Sequence, residues 1–110
     1  MSRRLKSQYH TLTWNTHTIL YIPPAAQKIE VVGISFHTDG THDATFLPWI
    51  WDGANLCWRD NVSVTTGQGT VYTPYEGMVV VHGGFLAVFV GGPSSLTVDC
   101  TFDYVEVAPV

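Results

Sequence analysis

Apolar and polar residues alternate with a period of two along much of this chain, and no window repeats apolar residues at i, i+3, i+4, i+7 over three turns. Tyr9 to Trp14 sets Tyr9, Thr11 and Thr13 against His10, Leu12 and Trp14. Thr18 to Ile22 follows, stopped by Pro23-Pro24, which cannot donate to a ladder. Lys28 to His37 places Val32, Ile34 and Phe36 on one face, with Glu30 out of place, and Ile29, Val31, Gly33 and Ser35 on the other. Phe46 to Trp51, Leu56 to Trp58, Val62 to Thr65 and Thr70 to Thr73 are further short runs. Met78 to Val81 and Phe85 to Val90 are apolar on both faces. In the last run, Leu96 to Val107, the apolar set Val98, Cys100, Phe102 and Tyr104 gives way to Val105 and Val107 on the opposite side. That phase flip predicts a bulge, or an edge that meets another chain.

Turn residues separate the runs. Thr38-Asp39-Gly40-Thr41, Asp52-Gly53-Ala54-Asn55 and Thr66-Gly67-Gln68-Gly69 read as three hairpin signals, and His82-Gly83-Gly84 joins the two apolar runs. Val and Thr, both stiff at χ1 and suited to a pleated surface, make up 27 of the 110 residues. Eight or nine short strands at this spacing predict an all-β fold: an antiparallel β-sandwich, jelly-roll-like, with little or no helix. Residues 9–110 are expected to form one such domain, preceded by a flexible basic arm over residues 1–8.

Composition sharpens this picture. Hydrophobic residues make 45% of the chain and charged residues only 13%, about half the ~25% of an average soluble protein. Arg3, Arg4 and Lys6 cluster at the start, leaving Lys28 and Arg59 against nine carboxylates, a net −7 for the remainder. An acidic body argues against nucleic acid, whose phosphates call for clustered cations. Gln8 to Thr18 is too polar for the apolar segment of a secretory signal, and Met78 to Val90 is broken and too short to span a bilayer. No signal peptide and no membrane partner are therefore expected. Cys57 and Cys100 make no disulfide framework and are expected to be buried free thiols.

Candidate chemistry is sparse. His37, Asp39, His42 and Asp43 lie within seven residues and could in principle ligate a divalent metal, but an Asp-Gly turn flanked by exposed histidines is favoured, with no metal and no cofactor expected. There is no Gly-x-Ser-x-Gly elbow and no phosphate loop, so an enzyme is not expected. Trp49, Trp51 and Trp58 bracket the second turn, with Arg59, Asp60 and Asn61 beside them. Indole faces stack on sugar rings, so this cluster is a candidate glycan-binding platform. Core packing is the favoured reading, although Pro48 suggests an exposed edge strand.

From Val31 onward the order of features is Gly40-Thr41, Ala44-Thr45, Asp52-Gly53, Trp58, a Thr/Gly turn over 66–70, Tyr72 to Gly77 leading into Val79 to Val81, then Gly83-Gly84 and a closing strand from Leu96 to Val107. This rhythm resembles small β-sandwich virion proteins of tailed bacteriophages, the kind that decorate capsids or form head or tail appendages. The resemblance implies a non-enzymatic virion protein, made in the host cytoplasm, that docks on a major capsid or tail protein. The residues fit such a role. Apolar faces at Val79, Val81, Phe85 and Phe89 form a candidate homo-oligomer interface, a trimer being favoured, and Arg3, Arg4 and Lys6 form a candidate docking arm. A carbohydrate-binding module is the alternative.

Overall fold

A computed structural model describes residues 4–92 and 98–107. Within them lie nine strands: β1 (Leu5–Leu12), β2 (His17–Tyr21), β3 (Lys28–Thr38), β4 (Ala44–Trp51), β5 (Leu56–Arg59), β6 (Val62–Val64), β7 (Thr70–Val81), β8 (Phe85–Gly91) and β9 (Val98–Val107). One sheet runs in the order β1-β9-β3-β7. The other runs β2-β8-β4-β5, with β6 also paired to β4. Every pairing is antiparallel. The β5 and β6 strands share one side of β4, β5 along Trp49 to Trp51 and β6 along Ala44 to Phe46. They are two halves of one broken edge strand, so the sandwich is an eight-position jelly roll.

Only one of the three expected hairpins is a hairpin. Asp52 to Asn55 joins neighbours β4 and β5, whereas the turns at 38–41 and 66–69 carry the chain from one sheet to the other. The turn chemistry is the same in both cases, because Gly and Asp supply a tight reversal without specifying which strand will pair. Pro48 lies in β4, an inner strand rather than an edge, opposite Val88 of β8. Its carbonyl accepts from the Asp60 N–H at 3.0 Å. In an antiparallel strand the N–H and C=O of one residue point the same way, so the missing donor faces the break between β5 and β6, where no ladder is lost.

The core fills the space between the sheets. Phe36 of β3 and Phe46 of β4 meet across it with ring centroids 4.8 Å apart. The Phe102 ring lies 5.1 Å from that of Tyr104, and Tyr21 closes against Tyr104 at 5.2 Å. Among the described residues no polar or charged side chain is buried in this core.

The conflict of phase in β3 is resolved by a bulge at Val32. Val31 pairs Tyr104 while Gly33 pairs Asp103, so Ile29 and Val31 point inward before the bulge, and Ile34 and Phe36 after it. The bulge predicted near Val105 is therefore on the neighbouring strand. Register between β1 and β9 is unbroken from Leu5–Val105 to Leu12–Val98. Val105 and Val107 stay in phase with Asp103 on the outer face.

The first strand begins earlier than expected. Leu5 to Gln8, placed by sequence in a flexible arm, are paired to Val105 through Phe102. Ser7 Oγ donates to Asp103 at 2.6 Å and Tyr9 Oη to Asp99 at 2.8 Å. Arg3 lies outside the described residues. Both cysteines are free, as expected, but only Cys100 is buried; Cys57 is exposed on the edge strand β5. Burial pushes the Cys100 thiol up to about 12, beyond reach of thiolate chemistry.

Candidate functional site

The outer face of the five-stranded sheet holds an open groove of about 380 Å³. It is built by strand alternation. In β4, Ala44, Phe46, Pro48 and Ile50 are buried inward, which turns Leu47, Trp49 and Trp51 outward. Across the ladder, Leu47 opposes Phe89, Trp49 opposes Arg59, and Trp51 opposes Leu56 and Phe85. His17 of β2 opposes Phe89 from the other side, their ring centroids 4.6 Å apart. Trp49 Nε1–H donates to His17 Nδ1 at 3.1 Å. Phe85 meets the Trp49 ring edge-on at 5.2 Å. The lining is thus apolar except for the Arg59 guanidinium and the His17 ring.

The tryptophan cluster divides. Trp49 and Trp51 face outward, against the core packing favoured for them, because the inward positions of β4 are taken by the alternate set. Trp58 does pack inward: it opposes Ile50 and meets Tyr75 edge-on at 5.1 Å. The three tryptophans therefore do not share one face, whereas Trp49 and Trp51 do. The bulge between Ile50 and Trp51 in the β4–β5 pairing is what puts Trp58 and Leu56 on opposite faces.

A second apolar area lies on the far side of the sandwich. On the outer face of the four-stranded sheet, one row runs Leu5, Val105, Glu30, Val79, and the next runs Val107, Lys28, Val81. Leu5 is 57% exposed, Val79 38% and Val81 37%. The proposed interface set is therefore split: Val79 and Val81 are on this face, while Phe85 and Phe89 are on the opposite one. The turn at 82–84 passes the chain between sheets, so one greasy ribbon greases two surfaces. Of the proposed docking arm, Arg4 is exposed at the mouth of β1, and the Lys6 ammonium is engaged by Glu106 of its own chain. Sequence reasoning passed over His17, Leu47, Leu56 and Leu5. Both alternation sets of β4 are apolar, so periodicity alone gives no sign of which one is outward.

The His37 to Asp43 segment does not converge on a point. His42 Nδ1 lies 2.9 Å from Asp39 Oδ2, His37 reaches Thr70 Oγ1 at 3.0 Å, and Asp43 accepts from Thr66. Among the described residues no group of three or more His, Cys, Asp or Glu is placed to hold a metal ion. These carboxylates instead brace turns. The Thr41 N–H, then His42, hold Asp39 well below the usual carboxylate range. The Thr66 hydroxyl and N–H also lower Asp43, and the Asn55 and Ala54 N–H groups lower Asp52. His10, stacked 5.8 Å from Phe102, is lowered by burial.

All four groups bind protons less readily folded than unfolded, so each contributes stability above its unfolded pKa and loses it as pH falls. The expected urea-unfolding profile is flat between about pH 7 and about pH 8, above which raised groups such as Cys100 begin to ionise in the unfolded chain. It declines gently from about pH 6.5 as unfolded His10 protonates, and falls more steeply below about pH 4. His10→Gln should remove the first stage and leave the second. Denaturation midpoints measured across this pH range check both.

Among the described residues no helix is long and apolar enough to cross a membrane. No family model matches the chain, and no curated protein matches it. Among solved structures, a Bacillus endospore appendage protein, from a family of disulfide-linked pili, aligns with a TM-score of 0.50 at 11% identity, over 100% of this chain and 93% of that one. At that identity the likeness is one of fold: an all-β sandwich of nine strands in two antiparallel sheets.

Proposed function

We propose that this chain is a non-enzymatic structural subunit of a particle surface, a virion decoration or appendage protein that packs against copies of itself and against a capsid or tail lattice. The observation that carries this reading is the pair of uncovered apolar faces, one on each sheet. The five-stranded sheet carries Leu47, Trp49, Trp51, Leu56 and Phe89 outward, and the four-stranded sheet carries Leu5, Val79 and Val81 outward beside Glu30 and Lys28. Outward apolar side chains grouped in this way mark an interaction surface. The turn rhythm shared with small phage virion proteins points the same way. The fold-level likeness to the Bacillus appendage protein, from a family of disulfide-linked pili, supports it as well. Light scattering coupled to size-exclusion chromatography tests the reading. The mass is expected to rise above the 12.2 kDa of one chain as concentration increases into the tens of micromolar; a constant single-chain mass up to millimolar concentration overturns it.

A carbohydrate-binding module is a second reading, favoured by one observation: Trp49 and Trp51 project side by side from β4 with Arg59 across from Trp49. Sugar hydroxyls need hydrogen-bond partners as well as a flat apolar face. The groove supplies Arg59 and His17, and no amide or carboxylate side chain lines it. A glycan array on which binding is seen, and is lost in Trp49→Ala and Trp51→Ala, would establish this reading over the first.

A further inference from the structure

We infer that copies of this chain stack head to tail, the outer face of the five-stranded sheet in one copy covering the outer face of the four-stranded sheet in the next. This rests on the assembling role proposed above and specifies its geometry and partner, a second copy of the same chain.

Charge selects that pairing. The strands of the five-stranded sheet contain no Asp or Glu at all, and their one formal cation, Arg59, has no carboxylate partner among the described residues. The strands of the other sheet carry five of the nine carboxylates. Four of these, Glu30, Glu76, Asp99 and Asp103, occupy outward positions, against outward Lys28 and the corner residue Arg4. Two copies of the acidic face brought together would add like net charge to like, and two copies of the groove face would bring no carboxylate from either sheet to the Arg59 guanidiniums. Groove against acidic face places the guanidinium opposite carboxylates and indoles opposite valines. Unlike faces attract where like faces repel.

Area permits it. A stable interface takes roughly 800 Å² from each partner, and the chain exposes 6073 Å², so one footprint is about an eighth of the surface, within the reach of one sheet face. Because the two faces lie on opposite sides of the sandwich, a contact that joins them leaves a fresh copy of each at the ends. Heterologous contacts of that kind grow into open lines rather than closing a small ring, so an extended stack replaces the trimer expected from sequence.

Two surface substitutions test this. Trp51→Glu spoils the groove face and Val79→Glu the acidic face, each at an outward position, with circular dichroism and urea unfolding confirming a native fold. Each variant alone is expected to run as a single chain at concentrations where the parent protein forms higher species. An equimolar mixture should give a one-to-one complex of twice the 12.2 kDa chain mass, since each variant keeps the face the other has lost. Leu56→Asp and Leu5→Asp, at two exposed positions on the same two faces, carry the same prediction if either of the first variants fails to fold. Variants that dimerise on their own, with no new species on mixing, overturn head-to-tail stacking while leaving the assembling role standing. A parent protein that stays a single chain throughout removes the role itself.

Discussion

Replacing Phe36 with alanine is expected to lower the unfolding free energy by about 3–5 kcal/mol, the usual cost of emptying a fully buried phenylalanine site. Phe36 has no exposed surface and sits 4.8 Å from Phe46, so the pair joins β3 of one sheet to β4 of the other at the centre of the sandwich. Strand ladders cannot relax across that gap without breaking hydrogen bonds, so the cavity is expected to persist rather than collapse. A domain of this size is stable by roughly 5–15 kcal/mol, and the variant should remain folded at 25 °C only with a narrow margin. Equilibrium urea unfolding measures the difference. Phe36→Leu, which restores most of the volume, should recover more than half of it. A loss below 1 kcal/mol for Phe36→Ala would mean that the two sheets do not close on this pair.

Gly84→Ala is expected to cost about 1–3 kcal/mol or more through overpacking, and to disturb the groove. A Cβ at Gly84 would fall 2.1 Å from the Trp51 carbonyl oxygen and 2.9 Å from Asp52 Cα. Both are backbone atoms, so no side chain can swing away to make room. The β4–β5 turn must move, taking with it the Trp51 side chain and the Asp52 carboxylate that accepts from the Ala54 and Asn55 N–H groups. Gly77→Ala is the informative comparison. Gly77 has φ +72 but open space around its α-carbon, so alanine there carries only the left-handed backbone cost of about 1–2 kcal/mol. Near-ultraviolet circular dichroism should change in Gly84→Ala and not in Gly77→Ala, because only the first shifts an indole. Equal spectra and equal unfolding midpoints for the two would contradict the close approach of the 82–84 turn to Trp51.

Periodicity carried the fold class a long way. The alternation of Val98, Cys100, Phe102 and Tyr104 describes β9 as it stands, and the turn residues at 39–41, 52–55, 66–69 and 82–84 all fall between strands. Strand pairing was another matter. Thr66 to Gly69 has the chemistry of a hairpin and connects strands in different sheets, since a tight reversal is a local event and partner choice depends on the whole hydrogen-bonded layer. Pro48 shows the same limit. Its missing N–H rules out one hydrogen bond, and a broken edge strand accommodates that in an inner position as readily as a free edge would.

The candidate surface was legible in its residues and not in its geography. Low charge and two-faced apolar runs already required that some greasy area remain outside a thin sandwich, because two sheets offer only two inward faces. That much follows from the order of residue types. The orientation of each face does not. In β4, Phe46 and Ile50 are no more hydrophobic than Trp49 and Trp51, and only packing against Phe36 and its neighbours picks the first pair for the core. The turn at His82 to Gly84 then sends Val79 and Phe89 to opposite sides of the molecule, and the Val32 bulge keeps β3 filled inward on both sides of a phase change. Residue chemistry is local and can be read along a line. Inside and outside belong to the closed sandwich, where each strand's choice is forced by the strands it meets.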